Sequence, residues 1–209
     1  MRVDRAKTPI RFHRFAPSGH CHRVELLLSL LELPVEIIDV DFLGGEHKTP
    51  RFLQLNSFGQ VPVIEDGGVV VADSNAILVY LATRYGDERW TPASPALVAE
   101  QQRWFSVAAG QVAFGPAAAR AHFLFGRALD LPAAQTRSHA LLRLLNAHLA
   151  ERAFLLGDAL SLADVSNYAY IARAPEGGVA LDEYPHVRNW LGRIESTPRF
   201  VPMPMRPQA

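Results

Sequence analysis

Residues 15 to 24 read Phe-Ala-Pro-Ser-Gly-His-Cys-His-Arg-Val and place Ser18, His20, Cys21 and His22 within five positions. Those side chains suit three chemistries: metal ligation, thiol redox chemistry, or hydrogen-bond activation of a bound nucleophile. A metal needs three or four convergent ligands. Successive helical residues point about 100° apart, and the remaining histidines are scattered, so metal: none. Ser18-Gly19-His20-Cys21 has the spacing of a dithiol motif with serine in the first place. The attacking cysteine is missing, which excludes an intramolecular dithiol cycle. Cys21 stays open as a monothiol, or as a small buried side chain of the kind free cysteines often are. Ser18 stays open as a hydroxyl donor, or as a plain helix N-cap.

The elements around this stretch decide what it can reach. Ile10 to Phe15 reads as a strand, Pro17-Ser18-Gly19 as a turn, and the dense apolar run after His22 as a mostly buried helix ending before Pro34. Val35 to Phe42 alternates apolar and acidic residues as a second strand. Strand, helix, strand at this length is a βαβ unit with parallel strands. Gly44 to Pro50 is a loop entering a short helix. Val61 to Ile64 and Val69 to Val71 flank Asp66-Gly67-Gly68 as a hairpin. Asp73-Ser74-Asn75 supplies cap chemistry for a helix over Ala76 to Tyr85. A helix start at Ser18 would carry unsatisfied N–H groups and partial positive charge, which favour an anion.

Asp87 to Pro95 has two prolines and no periodicity and reads as a linker. After it strand signals largely stop. Helical periodicity runs over Ala96–Phe114, Gln135–Phe154, Leu162–Ala172 and His186–Glu195, punctuated by Gly115-Pro116, Leu131-Pro132, Gly157-Asp158, Pro175 to Gly178 and Pro185. Ser161-Leu162-Ala163-Asp164 is a capping-box variant, with Leu160 and Val165 as a staple, and reads as structural. The expected organisation is residues 1–86, 87–95 as linker, and an all-helical 96–209 ending in an irregular proline-rich tail.

Composition narrows the partners. The 209 residues are 49% hydrophobic, enough for a core without disulfides or metals, and Lys plus Arg (21) balances Asp plus Glu (21). A neutral chain gives no reason to expect nucleic acid or an anionic membrane. One cysteine excludes an intrachain disulfide and points to a reducing, cytoplasmic setting. Met1 to Pro9 is polar and basic, without the apolar core of a secretory leader, and no apolar run suits a membrane span.

A βαβ-α-ββα domain followed by a linker and an all-helical domain resembles the cytosolic glutathione S-transferases, whose first half is thioredoxin-like. Three motifs carry the resemblance: Gln60-Val61-Pro62, like the family's turn with a cis proline; Asp73-Ser74-Asn75-Ala76-Ile77, like its glutathione-binding motif; and Ser161-Leu162-Ala163-Asp164, like its helical capping motif. It covers about Ile10 to Phe200. The serine-type start is similar to several bacterial and plant groups. The resemblance implies that Ser18 is catalytic, donating a hydrogen bond to the glutathione thiolate. It implies that Val61, beside Pro62, pairs with the cysteinyl backbone, that Asp73 and Ser74 bind the γ-glutamyl end, and that Lys48 and Gln60 bind the glycine carboxylate. His20 is placed at the active-site mouth, and with Gln111 and Phe114 it forms the expected second-substrate pocket for a small apolar electrophile. Glutathione is the co-substrate, no cofactor is expected, and homodimerisation is implied. Peroxidase or thiol-disulfide reductase activity, and glutathione binding without turnover, remain open.

Overall fold

The computed structural model describes residues 8–205, so most of the Met1–Pro9 leader reading and the tail beyond Met205 lie outside the described residues. The chain divides into two compact units between Thr91 and Pro92.

The first unit is built on a sheet of β1 (Ile10–Arg14), β2 (Val35–Asp39), β3 (Val63–Asp66) and β4 (Val69–Ala72) in the order β2-β1-β3-β4. β1 and β2 are parallel, with Phe12 opposite Ile37, and β3 is antiparallel to both β1 and β4. The parallel pair follows from the crossover helix α1 (Gly19–Leu30). The tight hairpin follows from Gly67 and Gly68, which hold φ of 55° and 90°. Two further helices, α2 (Pro50–Leu55) and α3 (Ser74–Tyr85), complete a thioredoxin-like unit.

Both faces of the central strands are covered. Phe12 and Ile64 share one face and are fully buried with Ile77, Leu78 and Leu81 of α3, which packs against α1. On the other face, α2 seats Phe52 against His13, ring centroids 6.2 Å apart, and against Val40 and Val63. Leu55, Val61 and Ala72 pack on that cluster, which anchors the segment before Pro62. The second expected strand stops at Asp39 rather than Phe42. Past Val40 the chain turns, with Asp41 Oδ1 accepting from Gly44 N at 2.8 Å.

The second unit is helical: α4 (Pro95–Val107), α5 (Ala118–Phe125), α6 (Leu131–His148), α7 (Leu162–Ala172) and α8 (Pro185–Glu195). Two expectations are corrected here. Gly115-Pro116 does not end a helix: wide π-type turns over Ala108–Ala117 join α4 to α5. Pro116 has no N–H, so a rung is lost there whatever the pitch. At Gly115 an added Cβ would lie 3.1 Å from Ser138 Oγ on α6, a tight contact that a glycine avoids. Leu131-Pro132 likewise opens α6, since proline is tolerated in a first turn, and Asp130 caps it by accepting from Ala133 N at 3.0 Å.

Asp164 organises the core of this unit. Its buried carboxylate accepts from Ser161 N (2.9 Å), Ser161 Oγ (2.6 Å), Leu155 N (2.8 Å) and Trp190 Nε1 (2.8 Å). The tail is irregular over its described part, with Met203 buried and its carbonyl accepting from Arg173.

Candidate active site

β1 ends at Arg14, and Ser18 N donates back to Phe15 O at 2.9 Å, turning the chain into α1. Ser18 is the N-cap, with extended φ and ψ of −82° and 122°. Its Oγ accepts from Cys21 N at 3.4 Å, a long bond that leaves the hydroxyl hydrogen to donate elsewhere. The residue is half-buried, so a ligand thiol can approach it.

Cys21 lies one turn below and is 1% exposed. Burial pushes its thiol up to about 11, outweighing the opposing hydrogen bonds from Phe15 N and Ser18. A thiol held protonated there is the opposite of an activated one. Cys21 is a packing residue in this geometry.

β4 delivers the chain to α3 through Asp73, a non-glycine residue at φ 72° and ψ 126°. Asp73 Oδ1 accepts from Asn75 N at 2.9 Å and Ala76 N at 3.0 Å, which helps to hold this strained conformation. Strain at a helix N-terminus is a feature that binding sites use. Ser74 beside it is buried. Its Oγ lies 3.4 Å from His20 Nδ1 and accepts from Arg23 Nη1 at 3.2 Å. His20 therefore joins the α1 and α3 N-termini. Burial, then the Arg23 charge, lowers its pKa to about 3, so the imidazole is neutral.

The Val61-Pro62 peptide bond is cis. Asn56 Nδ2 donates to Gln60 O at 2.9 Å and Asn56 Oδ1 accepts from Phe58 N at 3.1 Å, bracing the segment before it. Lys48 Nζ donates to Phe58 O at 3.1 Å, so it stands beside the same loop. Gln60 is exposed and Val61 half-buried.

The structure thus gathers Ser18, His20 and Ser74 around two neighbouring helix starts, and Lys48 with Gln60 around the cis-proline loop. Gln111 and Phe114 belong to the helical unit and are exposed on the π-type segment. Trp104, on the same stripe, is core: it is buried, with its ring against His148. Among the described residues no three histidine, cysteine or carboxylate side chains gather as metal ligands, and no helix is long and apolar enough to cross a membrane.

Beside the expected residues the structure places His47, Asn56 and Arg23, none of them an expected site residue. His47 stacks on Phe42 at 4.0 Å, and Phe42 on Phe15 at 5.1 Å; its Nδ1 is buried without a hydrogen-bond partner. Its signal was adjacency to Lys48.

A thioredoxin-like unit with a cis-proline loop and two anion-favouring helix starts, in one chain with an all-helical unit, defines a class of thiol-ligand enzymes. The pattern described as "Glutathione S-transferase, N-terminal domain" matches residues 11–83, and "Glutathione S-transferase, C-terminal domain" matches 105–198. Glutathione S-transferase 3 of Zea mays is 33% identical over 96% of this chain and 98% of its own. A crystal structure of a Pseudomonas fluorescens glutathione S-transferase superposes with TM-score 0.88 at 33% identity, covering 94% of this chain and 99% of its own. A Drosophila mojavensis glutathione transferase homologue with bound glutathione gives TM-score 0.82 at 25% identity, covering 91% and 89%. The chain belongs to the glutathione S-transferase family, and its activity is that of a glutathione transferase.

Proposed function

We propose that this is a serine-type transferase in which Ser18 stabilises the thiolate of bound glutathione. The observation that carries the reading is Ser18 at the N-cap of α1, with a hydroxyl hydrogen left to donate. An ordinary thiol has a pKa of about 8.5, and each unit of depression needs about 1.4 kcal/mol in favour of the anion. A hydrogen bond to a charged acceptor contributes about 1.5–3 kcal/mol, and a helix N-terminus about 0.3–1 kcal/mol. Together they suffice for one to two units, making the thiolate abundant at neutral pH. The thiol proton leaves to solvent. The sulfur then forms a bond to an electrophilic carbon of the second substrate, whose leaving group departs with the bonding electron pair.

The remaining residues bind and orient. Val61 offers its backbone edge to the cysteinyl unit, Asp73 and Ser74 receive the γ-glutamyl end, and Lys48, Gln60 and His47 face the glycine carboxylate. His20, expected at the second substrate, bonds to Ser74, and we assign it to the glutathione side. Gln111 and Phe114 are the second-substrate residues, Phe114 offering an aromatic surface that is 62% exposed. No cofactor takes part. The buried, protonated Cys21 counts against a monothiol reductase. We infer a homodimer acting in the cytoplasm. Apolar side chains exposed at Phe58, Val79, Leu97 and Val98 support the first, and a single unpaired cysteine supports the second.

The test is the ultraviolet absorbance of the bound thiolate, titrated with pH in wild type and Ser18→Ala. The wild type should show a thiol pKa depressed by about 1–2 units, lost in the variant. Turnover should fall about 10–100-fold, the size of one to two units of thiol pKa, with glutathione affinity little changed. Equal pKa values in the two proteins would remove Ser18 from catalysis.

A further inference from the structure

Arg23 is 1% exposed, among the most deeply buried large side chains of the chain. A guanidinium is always charged and only donates, and burying one costs several kcal/mol unless its partners offset it. Its Nη1 donates to Ser74 Oγ at 3.2 Å and to Asn75 Oδ1 at 3.0 Å, two neutral oxygens in the first turn of α3. Both acceptors are consecutive residues at the strained start that follows Asp73.

The bond to Ser74 has a directional consequence. Because Arg23 can only donate, Ser74 Oγ spends a lone pair on it, and the Ser74 hydrogen must point to another acceptor. His20 Nδ1, 3.4 Å away, takes that hydrogen when the neutral ring carries its own proton on Nε2, and at that distance it is a long and replaceable partner. A ligand carboxylate at the α3 N-terminus is a stronger acceptor and would take the same hydrogen. Donation by a cation into Ser74 Oγ also polarises its O–H, making it a better donor. The Arg23 charge reaches this space, since it helps disfavour a proton on His20. That contribution favours an anion and opposes the Asp73 carboxylate already at this helix start.

We propose that Arg23 is a positioning residue for the γ-glutamyl carboxylate of glutathione. It orients Ser74 as a donor and sets a buried positive charge behind the first turn of α3. Bound carboxylate displaces His20 as the acceptor of the Ser74 hydroxyl. The inference rests on the glutathione reading above.

The test compares S-hexylglutathione with S-hexylcysteinylglycine, which lacks the γ-glutamyl unit, by calorimetric titration of the full-length protein. Wild type should prefer the first. Arg23→Met should reduce that preference about 10-fold, the size of one charge-assisted hydrogen bond. Arg23→Lys, keeping charge without the planar fork, should reduce it about 3-fold. An Arg23 that merely holds the core would leave the ratio unchanged while lowering thermal stability, and that result overturns the proposal. Should the Arg23 variants fail to fold, Asn75→Ala decides: it removes one anchor of the guanidinium, and a preference reduced about 3-fold supports the role, an unchanged one refutes it. Wild type binding neither ligand would bring down the glutathione reading itself, an outcome distinct from normal binding with an unaltered ratio.

Discussion

At the scale of the residue, this site is governed by which groups burial keeps neutral. Cys21 has an ordinary pKa of 9.0 and is held up at about 11 in the folded protein. The folded state keeps its proton while the unfolded chain loses it above 9.0. Stability from this group is therefore complete below 9.0 and falls as pH rises toward 11, by up to about 3 kcal/mol. Urea midpoints of wild type and Cys21→Ala measured at pH 8 and pH 10.5 should diverge, wild type falling more steeply. Turnover of Cys21→Ala at neutral pH should stay within about 3-fold of wild type, since an uncharged thiol brings no nucleophile. For His20, with its pKa lowered to about 3, the folded protein is neutral through the working range. Its ring resonances should not titrate between pH 5 and pH 9. A midpoint near its ordinary 6.5 would show that the ring is not desolvated as described.

At the scale of the element, two backbone positions hold the edges proposed to face glutathione. Gly59 has φ 58°, and a Cβ there would meet His47 O at 2.7 Å and Lys48 Nζ at 2.9 Å. Gly59→Ala combines a left-handed residue, costing about 1–2 kcal/mol, with a clash against backbone that cannot swing away. Its glutathione KM should rise with kcat little changed, as steady-state kinetics at fixed electrophile would report. Asp73→Ala removes the acceptor of two N–H groups and should cost about 1 kcal/mol of stability. It should also weaken glutathione binding, read by the same titration. The elements themselves were legible: alternation, helical periodicity and cap residues place each strand and helix of the first unit within a few residues. The π-type segment was not. Gly115-Pro116 carries a break signal, yet the chain stays helical through it where it packs against α6 and α7.

At the scale of the whole molecule, the helical unit depends on a buried polar centre. Four donors converge on Asp164 from three separate stretches, Leu155, Ser161 and Trp190 of α8. Asp164→Ala leaves them unsatisfied and should destabilise the helical unit by about 3 kcal/mol or more. Trp190 fluorescence should report this as an earlier urea transition. The proposed homodimer is checked by sedimentation equilibrium of the 23.1 kDa chain, which should give twice that mass. Phe58, 78% exposed on the loop before the cis proline, is the first side chain to replace. Phe58→Ser should shift the equilibrium toward monomer, and a monomeric wild type would remove the dimer.

Local information was enough for much of this protein. Ser18 as a helix cap, the Gly67-Gly68 hairpin, Asp73 as a cap and Ser161 with Asp164 as a capping box all depend on residues within a few positions of one another, where the chain's own geometry limits the outcomes. Tertiary structure decided what depends on neighbours distant in sequence. Arg23 reaches Ser74 and Asn75 51 and 52 positions away, and burial, the largest cause, holds the Cys21 thiol above its ordinary pKa. His20 became a neighbour of Ser74 only once α1 and α3 packed together. A side chain's protonation and partners are set by the dielectric and the groups around it, and those exist only after the chain has folded.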